Sequence, residues 1–288
     1  MIGDNTGTAI TASTRLVCLL GHPARHSRSP LIHNAAFERQ GVDMAYLAFD
    51  VAPADLESAV RGLRALGVVG ANVTVPHKEA VLPLLDFVDP VAQTIGAVNT
   101  IMSEDGRLCG YNTDMKGFLI ALERAWGRGP AGSRCLVLGA GGAARAVVSG
   151  LATAGAAHIW VFNRTAARSH DLCTQVGSWS KGACRPILED ELAQAAAQAD
   201  VIVNATSIGM GDSVKLSPIA VDVVTRRHVV ADLVYGREPT ALVARARSLG
   251  AICLDGLEML VQQAALSYEL WTGRMAPVDL MREMARYA

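Results

Sequence analysis

Short apolar runs alternate with amphipathic segments along most of this chain, from about residue 15 to residue 255. Runs rich in β-branched residues predict strands, and apolar positions three and four residues apart predict helices. In the first half the predicted strands cover residues 16–20, 44–50, 71–74, 97–103 and 108–111, and the predicted helices cover 30–40, 53–66 and 77–85. Strands that alternate with helices are typical of βαβ units, so we expect an α/β fold built on parallel strands.

The second half continues this alternation after a connection rich in glycine and arginine at residues 124–134. A strand at 135–138, a glycine turn and a helix are followed by further apolar strands, which is the order of a Rossmann-type, doubly wound domain. Residues 258–288 contain two helical patterns and no strand. We therefore predict an N-terminal α/β substrate-binding domain at 1–116, a nucleotide-binding domain at 117–257, and C-terminal helices that pack back on the N-terminal domain.

Composition and charge exclude several classes of protein. The 288 residues are 51% hydrophobic and 18% charged, which is typical of an ordered globular chain. With 26 Lys and Arg against 27 Asp and Glu the formal charge is −1, so no basic field is available to hold nucleic acid. Six scattered cysteines form no CxxC pair and no zinc spacing. We therefore expect reduced, mostly buried thiols in a reducing compartment and no metal site.

Neither a membrane span nor an export signal is predicted. Residues 146–163 contain no Asp, Glu, Lys or Arg, but glycines and polar residues divide them into the end of a helix near Gly155 and a strand at 158–162. The first 15 residues lack the charged-then-apolar pattern of a signal peptide. We expect a cytoplasmic protein with no membrane partner, and the sequence leaves monomer and homodimer open.

A glycine-rich turn joins the strand at 135–138 to the next helix. It consists of Gly139, Ala140, Gly141, Gly142 and Ala143 and, with the alanine that follows, fits the pattern G-x-G-x-x-A. The first glycine permits a tight turn, the second lets a pyrophosphate approach the backbone, and the helix amino terminus attracts the anion. Because the turn stands between a strand and a helix, it predicts a dinucleotide site rather than a structural turn alone.

The residues after the second strand of this domain indicate which dinucleotide binds. A site that selects NAD carries Asp or Glu about 20 residues after the glycines, yet residues 124–170 contain no carboxylate. Asn163, Arg164 and Thr165 stand there instead, with Arg168 one helical turn later. Guanidinium groups and a hydroxyl suit the 2′-phosphate of NADP. The alternative is that both arginines only solvate the start of a helix.

Two polar clusters of the first half lie at a turn and at a strand end. Ser27 and Ser29 stand at the start of a helix, where their hydroxyls could cap the helix or bind an anion. Thr74 ends a predicted strand, and Lys78 follows at the start of the predicted helix 77–85. A cation in that position opposes the helix dipole, which suggests a role other than helix stability.

A third cluster supplies an amide and a carboxylate. Asn99 and Asp114 lie in two polar turns joined by a short hairpin-like excursion, and Asp114 could also be an ordinary surface carboxylate or helix cap. A lysine that can exchange a proton and a carboxylate that can pair with it are parts needed for carbonyl/alcohol chemistry. Lys78 and Asp114 are therefore candidates for such chemistry, and the residues alone leave their roles open.

Taken in order, the motifs resemble those of the shikimate dehydrogenase family of aromatic amino-acid biosynthesis. The resemblance runs from about residue 16 to about residue 273 and comprises HSRSP, ANVTVPHK, GAVNT, GYNTD, GAGGAARA, NRT, VNATSIGM, DLVY and DGLEMLVQQA. It implies NADP-linked, reversible reduction of 3-dehydroshikimate to shikimate. The hydride would pass between C4 of the nicotinamide and the ring carbonyl carbon.

The resemblance also assigns roles to individual residues. Lys78 is similar to the acid–base residue of the family and Asp114 to its partner at the substrate hydroxyls. The implied substrate contacts are Ser27, Ser29, Thr74, Asn99, Asp114, Tyr235 and Gln263. The implied cofactor contacts are Gly139, Ala140, Gly141, Gly142, Ala143, Asn163, Arg164, Thr165, Arg168, Leu233 and Gly256. The chain departs from the family pattern at Met115, Lys116 and Glu258, where smaller residues are frequent.

Two other functions fit the same residues. A quinate/shikimate or aminoshikimate dehydrogenase of broader scope would use the same scaffold, although Ser29 and Arg164 favour the shikimate and NADP form within the resemblance. A non-catalytic NADP-sensing regulator is disfavoured because Lys78 and Asp114 are both present.

Overall fold

The structure, a computed structural model, describes residues 10–180, 184–236 and 238–287. Most of the segment on which the predicted lack of an export signal rests therefore lies outside the described residues. The chain divides into two compact units. The first contains the residues up to Thr113 and those from Ala264 onward, and the second contains residues 114–263. The functional limits proposed above, 1–116 with 258–288 and 117–257, stay a prediction.

The first unit is built on a mixed six-stranded sheet. Its strands are β1 (Arg15–Gly21), β2 (Met44–Asp50), β3 (Gly70–Val73), β4 (Phe87–Val88), β5 (Thr100–Glu104) and β6 (Arg107–Tyr111), in the spatial order β2-β1-β3-β5-β6-β4. β1 pairs in parallel with β2 and β3, whereas β5 is antiparallel to β3 and β6. Asp105 and Gly106 both have positive φ, 50° and 78°, which permits the tight hairpin between β5 and β6. This hairpin explains why the sheet is not wholly parallel.

The helices of the first unit cover the sheet. They are α1 (Ser29–Arg39), α2 (Leu56–Ala65), α3 (Pro90–Ile95), the last part of α9 (Gly256–Thr272) and α10 (Val278–Tyr287). The predicted helices at 30–40 and 53–66 are confirmed to within a few residues at each end. Sequence patterns missed α3, a short helix that begins at a proline and whose Asp89 side chain accepts a hydrogen bond from Val91 N, and the two-residue strand β4.

The predicted helix at 77–85 is wrong. Turns occupy most of these positions, and only Leu82–Leu84 forms a short 3₁₀ helix. Pro83 lies inside the segment and lacks the N–H that an α-helix interior requires. The apolar spacing alone was therefore misleading, and the helix-dipole argument for Lys78 does not apply.

The C-terminal helices pack back on the first unit, as predicted. The Arg28 guanidinium donates to the carbonyl of Ala285 in α10 at 2.6 Å. The Trp271 indole donates to the Ile101 carbonyl of β5 at 2.9 Å. Gly70 leaves room for this indole, since a Cβ there would lie 2.3 Å from its Nε1 atom.

The second unit carries an all-parallel six-stranded sheet. Its strands are β7 (Arg134–Leu138), β8 (His158–Phe162), β9 (Cys184–Ile187), β10 (Val201–Asn204), β11 (Val229–Asp232) and β12 (Ile252–Leu254), in the spatial order β12-β11-β10-β7-β8-β9. Its helices are α4 (Asp114–Trp126), α5 (Gly142–Thr153), α6 (Ala166–Gly177), α7 (Leu192–Gln198), α8 (Ala241–Ser248) and the first part of α9. The strand order reverses between β7 and β10, as in a Rossmann fold. The doubly wound domain is confirmed.

The charge-free segment at 146–163 belongs to this unit. α5 ends at Thr153 and β8 begins at His158, so the predicted division into a helix and a strand is confirmed. Across the described ranges, no helix has both the length and the apolar character needed to cross a membrane.

A histidine without hydrogen-bond partners lies in the core of the first unit. His33, in α1, is fully buried, and neither ring nitrogen has a hydrogen-bond partner among the described residues. Its ring stacks on Tyr46, with centroids 4.5 Å apart and planes 6° apart. Burial lowers the pKa of His33 to about 3, because the apolar surroundings disfavour the charged imidazolium.

We expect His33 to make the protein less stable in acid. The unfolded chain protonates this ring near its ordinary pKa of about 6.5, whereas the folded chain does so only near the lowered value. Its contribution is therefore complete above pH 6.5 and is lost as the pH falls, by up to about 1.4 kcal/mol per pH unit. Urea unfolding at about pH 7 and about pH 5 should show wild type losing 1–2 kcal/mol more than His33→Phe.

The exposed His26 supplies the control for this experiment. His26→Phe should keep the pH dependence of wild type, because it leaves the buried His33 ring in place. Equal losses in wild type and His33→Phe would contradict the interpretation.

Candidate active site

A cluster of hydroxyl and amide groups is buried where β3, β5 and α9 meet in the first unit. Asn72 on β3 is 5% exposed, and its amide nitrogen lies 3.1 Å from Ser267 Oγ and 3.2 Å from Thr100 Oγ1. Ser267 Oγ also lies 2.8 Å from Thr100 Oγ1 and 3.1 Å from Thr113 Oγ1. Tyr46 completes the cluster by donating its hydroxyl to Asn72 Oδ1 at 2.8 Å. Buried polar groups are tolerated when they pair in this way.

This cluster orients Asn99, a predicted substrate contact. Asn99 Oδ1 accepts from the Thr113 backbone N–H at 2.8 Å, and its amide nitrogen donates to Thr113 Oγ1 at 2.9 Å. The Asn99 carbonyl in turn accepts from the Asn72 amide at 3.1 Å. The direction of the Asn99 amide is therefore set by residues that are distant in sequence.

Lys78 is held in a turn directly after β3. The Thr74 carbonyl accepts from His77 N at 2.8 Å, and the Lys78 carbonyl accepts from Val98 N at 2.8 Å. The buried His77 ring lies 2.8 Å from the Val51 carbonyl. These bonds fix the backbone on both sides of Lys78, which is half-buried. Val98, which donates to the Lys78 carbonyl, is the residue before Asn99, so the Lys78 backbone is bonded to the segment that leads into Asn99.

Ser27 and Ser29 lie at the beginning of α1. Ser29 is the first residue of the helix and is 5% exposed, and Ser27 Oγ accepts from its backbone N–H at 3.2 Å. The N-cap position itself belongs to Arg28, which makes no side-chain cap. The Ser27 hydroxyl therefore accepts one backbone hydrogen bond at the start of the helix. Anion binding by Ser27 and Ser29 stays open.

Three predicted substrate contacts, Asp114, Gln263 and Tyr235, belong to the second unit. Asp114 is the first residue of α4 and is 3% exposed. Gln263 is 9% exposed and packs against Gly117 of α4, where a Cβ would lie 2.8 Å from the Gln263 backbone nitrogen. Gly117 thus permits the close approach of α4 and α9 that positions Gln263. The predicted pairing of Asp114 with Lys78, a residue of the first unit, stays a prediction.

The glycine turn packs closely on one side and is open on the other. Gly139 has φ +114° and lies so close to β10 that a Cβ would be 2.9 Å from the Ala205 carbonyl oxygen. A Cβ on Gly141, in contrast, would meet no atom within 4 Å, so the turn is open on that side. Ala140 is buried, and Gly142 and Ala143 form the first turn of α5, whose N-cap makes no side-chain hydrogen bond. The helix amino terminus is therefore available to an anion.

The basic loop follows β8, the strand beside this turn. Gly139 N donates to the Phe162 carbonyl at 2.8 Å, which ties the turn to the residue before Asn163. Asn163 donates its amide to the Thr165 carbonyl at 2.9 Å and shapes the loop. Arg164, Thr165 and Arg168 are exposed. Within the described ranges, no hydrogen bond or ion pair engages the Arg164 guanidinium.

Leu233 and Gly256, both predicted cofactor contacts, lie side by side. A Cβ on Gly256 would be 2.4 Å from the Leu233 carbonyl oxygen, so only glycine lets α9 begin against this backbone. The segment is held by Asp232, which is fully buried and accepts from Thr240 Oγ1 at 2.6 Å and Asn204 Nδ2 at 2.9 Å. Burial raises the pKa of the Asp232 carboxyl. Tyr235 follows in the same segment and is half-buried.

The departures from the family pattern have local partners in the second unit. Glu258 Oε1 accepts from Gln262 Nε2 at 2.7 Å and lies 3.3 Å from Arg124 Nε, which links α9 to α4. Met115 packs against Gly150 of α5, where a Cβ would lie 3.2 Å from Met115 Cγ. The departures at Met115 and Glu258 thus fit into helix contacts, and nothing in the structure explains Lys116.

Sequence patterns missed several residues that support the site. Ser267 lies on the same face of α9 as Gln263, four residues away. No sequence pattern predicts its contacts with Asn72 and Thr100. The predicted helix at 77–85 places His77 at a helix start, whereas the structure places it in the turn that holds Lys78. The signal that could have found it is Pro83, which argues against that helix.

Comparison with known protein families gives three matches along the chain. Residues 19–101 match the family described as "Shikimate dehydrogenase substrate binding domain", residues 124–232 match "Shikimate / quinate 5-dehydrogenase", and residues 256–286 match "Shikimate 5'-dehydrogenase C-terminal domain". The matches follow one another in sequence and together cover most of both units.

Individual proteins are similar over nearly the whole chain. A shikimate dehydrogenase (NADP(+)) of Moorella thermoacetica is 50% identical over 97% of this chain and 95% of its own. The structure of a Thermus thermophilus shikimate 5-dehydrogenase in complex with NADP(H) and shikimate is 38% identical, with TM-score 0.85 over 95% of this chain and 99% of that chain. A Corynebacterium glutamicum quinate dehydrogenase in complex with NAD is 33% identical, with TM-score 0.86 over 94% and 98%.

We expect Ser267→Ala to destabilise the first unit by about 1–3 kcal/mol, because it leaves buried amide and hydroxyl groups without a partner. Ser149→Ala is the matched control. Ser149 lies in a helix and is almost as buried as Ser267, with 2% exposure against 0%. Its Oγ, in contrast, has no hydrogen-bond partner among the described residues. Removal of the Ser149 hydroxyl should leave the free energy of unfolding unchanged or raise it slightly.

Thermal and urea unfolding of the two variants would measure this difference. Equal effects of Ser267→Ala and Ser149→Ala would show that the hydroxyl cluster contributes nothing beyond ordinary packing.

Proposed function

The chain belongs to the shikimate dehydrogenase family, and from that premise we propose that it is an NADP-dependent shikimate dehydrogenase. It would interconvert 3-dehydroshikimate and shikimate. We further propose that it acts in the cytoplasm, as the six free cysteines favour, as a monomer or homodimer. The observation that carries the proposal is that one chain contains two features of the family. The first is the turn that holds Lys78, and the second is a glycine turn whose neighbouring loop is basic rather than acidic.

The residues of the second unit fit NADP. The open side of the turn at Gly141 leaves space for a pyrophosphate, and the first N–H groups of α5 would donate to it. Arg164 would bind the 2′-phosphate through its guanidinium, with Asn163, Thr165 and Arg168 beside it. The Leu233 backbone, with Gly256 against it, would lie beside the nicotinamide. When bound, the cofactor supplies or accepts the hydride at C4.

The residues of the first unit would bind and orient the substrate. Ser27 and Ser29 would hold its carboxylate, and Asn99 and Thr74 its hydroxyls, because the buried cluster fixes the direction in which the Asn99 amide points. Asp114, Tyr235 and Gln263 are the proposed contacts from the second unit. Lys78 Nζ would donate a proton to the oxygen of the carbonyl as it is reduced and take it back in the reverse direction.

A dehydrogenase of broader scope is the second candidate. The similarity to a quinate dehydrogenase in complex with NAD extends over 94% of the chain and favours it. The basic loop at Arg164 argues against the NAD preference of such an enzyme, because it offers no carboxylate to the ribose 2′-hydroxyl.

We expect shikimate oxidation with NADP to exceed oxidation with NAD, and Arg164→Gln to abolish most of this preference. The variant should raise KM for NADP about tenfold or more and leave KM for NAD unchanged, because a charge-assisted bond to phosphate contributes about 1.5–3 kcal/mol. Absorbance of the reduced nicotinamide measures both. Arg226→Gln is the control, since the exposed Arg226 precedes β11 and lies at the amino ends of the parallel strands, whereas Arg164 follows the carboxyl end of β8.

The same assay separates the candidates. Turnover of quinate or aminoshikimate equal to that of shikimate would support the broader enzyme. Binding of NADPH with no turnover of any cyclic hydroxy acid would support a regulator and overturn the proposal.

We expect Lys78→Ala to lower turnover by about 10²–10⁴-fold while KM for shikimate changes much less, because the variant removes proton transfer and leaves the other substrate contacts in place. Steady-state kinetics measures both constants. Lys215→Ala, at an exposed position of the second unit, should behave as wild type. Near-normal turnover of Lys78→Ala would contradict the role assigned to this lysine.

A further inference from the structure

Two cysteine sulfurs that take no part in the proposed reaction meet in the second unit. Cys173 lies on α6, and Cys184 is the first residue of β9, the strand at the edge of the sheet. Their Sγ atoms are 2.8 Å apart. No sequence motif predicts this contact, because the two residues are eleven positions apart and form no CxxC pair.

The other four cysteines have different surroundings. Cys18 and Cys135 are fully buried among apolar residues of the two cores. Cys135 Sγ lies 3.3 Å from the Ser133 hydroxyl, and Cys253 Sγ lies 3.5 Å from the Ala251 carbonyl. In the described part of the chain, Cys173 and Cys184 are the cysteines whose sulfurs contact each other.

The helix and the strand that carry the pair are already in contact. α6 packs against β9, so both cysteines lie on regular elements that already touch. A disulfide bond is about 2.0 Å long, so closing the observed 2.8 Å requires the sulfurs to move by less than 1 Å. Cys184 is half-buried and Cys173 is 5% exposed, which makes Cys184 the more accessible sulfur.

We propose that Cys173 and Cys184 form a reversible disulfide, so that the pair is a site of modification by low-molecular-weight disulfides such as glutathione disulfide. The thiolate of Cys184 attacks one sulfur of the reagent, whose S–S bond breaks, and one glutathione leaves with the proton that Cys184 lost. Cys173 then attacks the Cys184 sulfur of this mixed disulfide, and the second glutathione leaves with its proton. Both cysteines are oxidised, and one glutathione disulfide is reduced to two thiols.

The reaction is expected to be slow. The Cys173 thiol beside Cys184, together with burial, raises the pKa of Cys184, and a protonated thiol is a poor nucleophile. The fraction of disulfide should therefore be measured after equilibration for hours, and not from the initial rate of its formation.

The bond should tie α6 to β9 without disturbing the cofactor residues. α6 begins after the loop of Arg164, and Cys173 lies more than one turn beyond Arg168. Because the sulfurs are already in contact, the helix need not move for the bond to form. Oxidation should therefore raise the unfolding temperature, since a cross-link restricts the unfolded chain, and leave NADP affinity unchanged. This inference does not depend on the proposed function.

The test is a series of glutathione redox buffers, followed by alkylation of free thiols, trypsin digestion and mass spectrometry of the full-length protein. Cleavage after Lys181 separates the two cysteines onto peptides 169–181 and 182–215, each with a single cysteine. We expect these peptides to be linked in the oxidising buffers, to separate on reduction, and to be linked equally in the Cys253→Ser control. Cys173→Ser and Cys184→Ser should lack the linked species and the rise in unfolding temperature.

Two results would overturn the proposal. The first is that Cys173 and Cys184 stay fully alkylatable throughout the series. The second is that oxidation joins other cysteines in preference to this pair. Both results are read from the wild-type peptide map, so the test stands even if a serine variant fails to fold.

Discussion

The hydrogen bonding of Asn72 is the constraint on which the first unit's site depends. An amide buried to 5% exposure is stable only if its donors and acceptor are paired, and its partners come from β2, β5 and α9. Asn72 therefore links β3 to β2, to the adjacent strand β5 and to α9. Asn99 and the Lys78 turn lie at the same end of β3, so the polar surface proposed to bind substrate rests on a core that is itself polar.

In the second unit, we propose that phosphate groups are bound mainly by the backbone. Gly139 brings the turn against β10, and Gly256 brings α9 against Leu233, at distances that no other residue type permits. These contacts set the shape of the turn, and the amino terminus of α5 has no side-chain cap. Side chains contribute selectivity. We propose that Arg164 is the side chain that distinguishes a 2′-phosphate from a 2′-hydroxyl.

Much of the fold could be predicted because periodicity and glycine turns are local signals. The strands of the first half other than β4, the glycine turn and the strand at 158–162 were predicted in this way, and so was the return of the C-terminal helices. The helix at 77–85 was wrong because apolar spacing was weighed without Pro83. The mixed sheet depends on the tight hairpin at Asp105 and Gly106, which spacing alone does not reveal. Ser267 and the contact between Cys173 and Cys184 join segments far apart in sequence or on separate elements, and only the folded chain shows them.

The central claim is that Lys78 exchanges the proton at the hydroxyl that is oxidised, while Arg164 holds the extra phosphate of the cofactor. A crystal structure of the protein with NADP and shikimate tests it most directly. We expect Lys78 Nζ at hydrogen-bond distance, about 2.7–3.2 Å, from the oxygen on the reacting carbon, and the Arg164 guanidinium on the 2′-phosphate. Bound shikimate whose reacting oxygen faces another side chain, with Lys78 turned away, would contradict the claim.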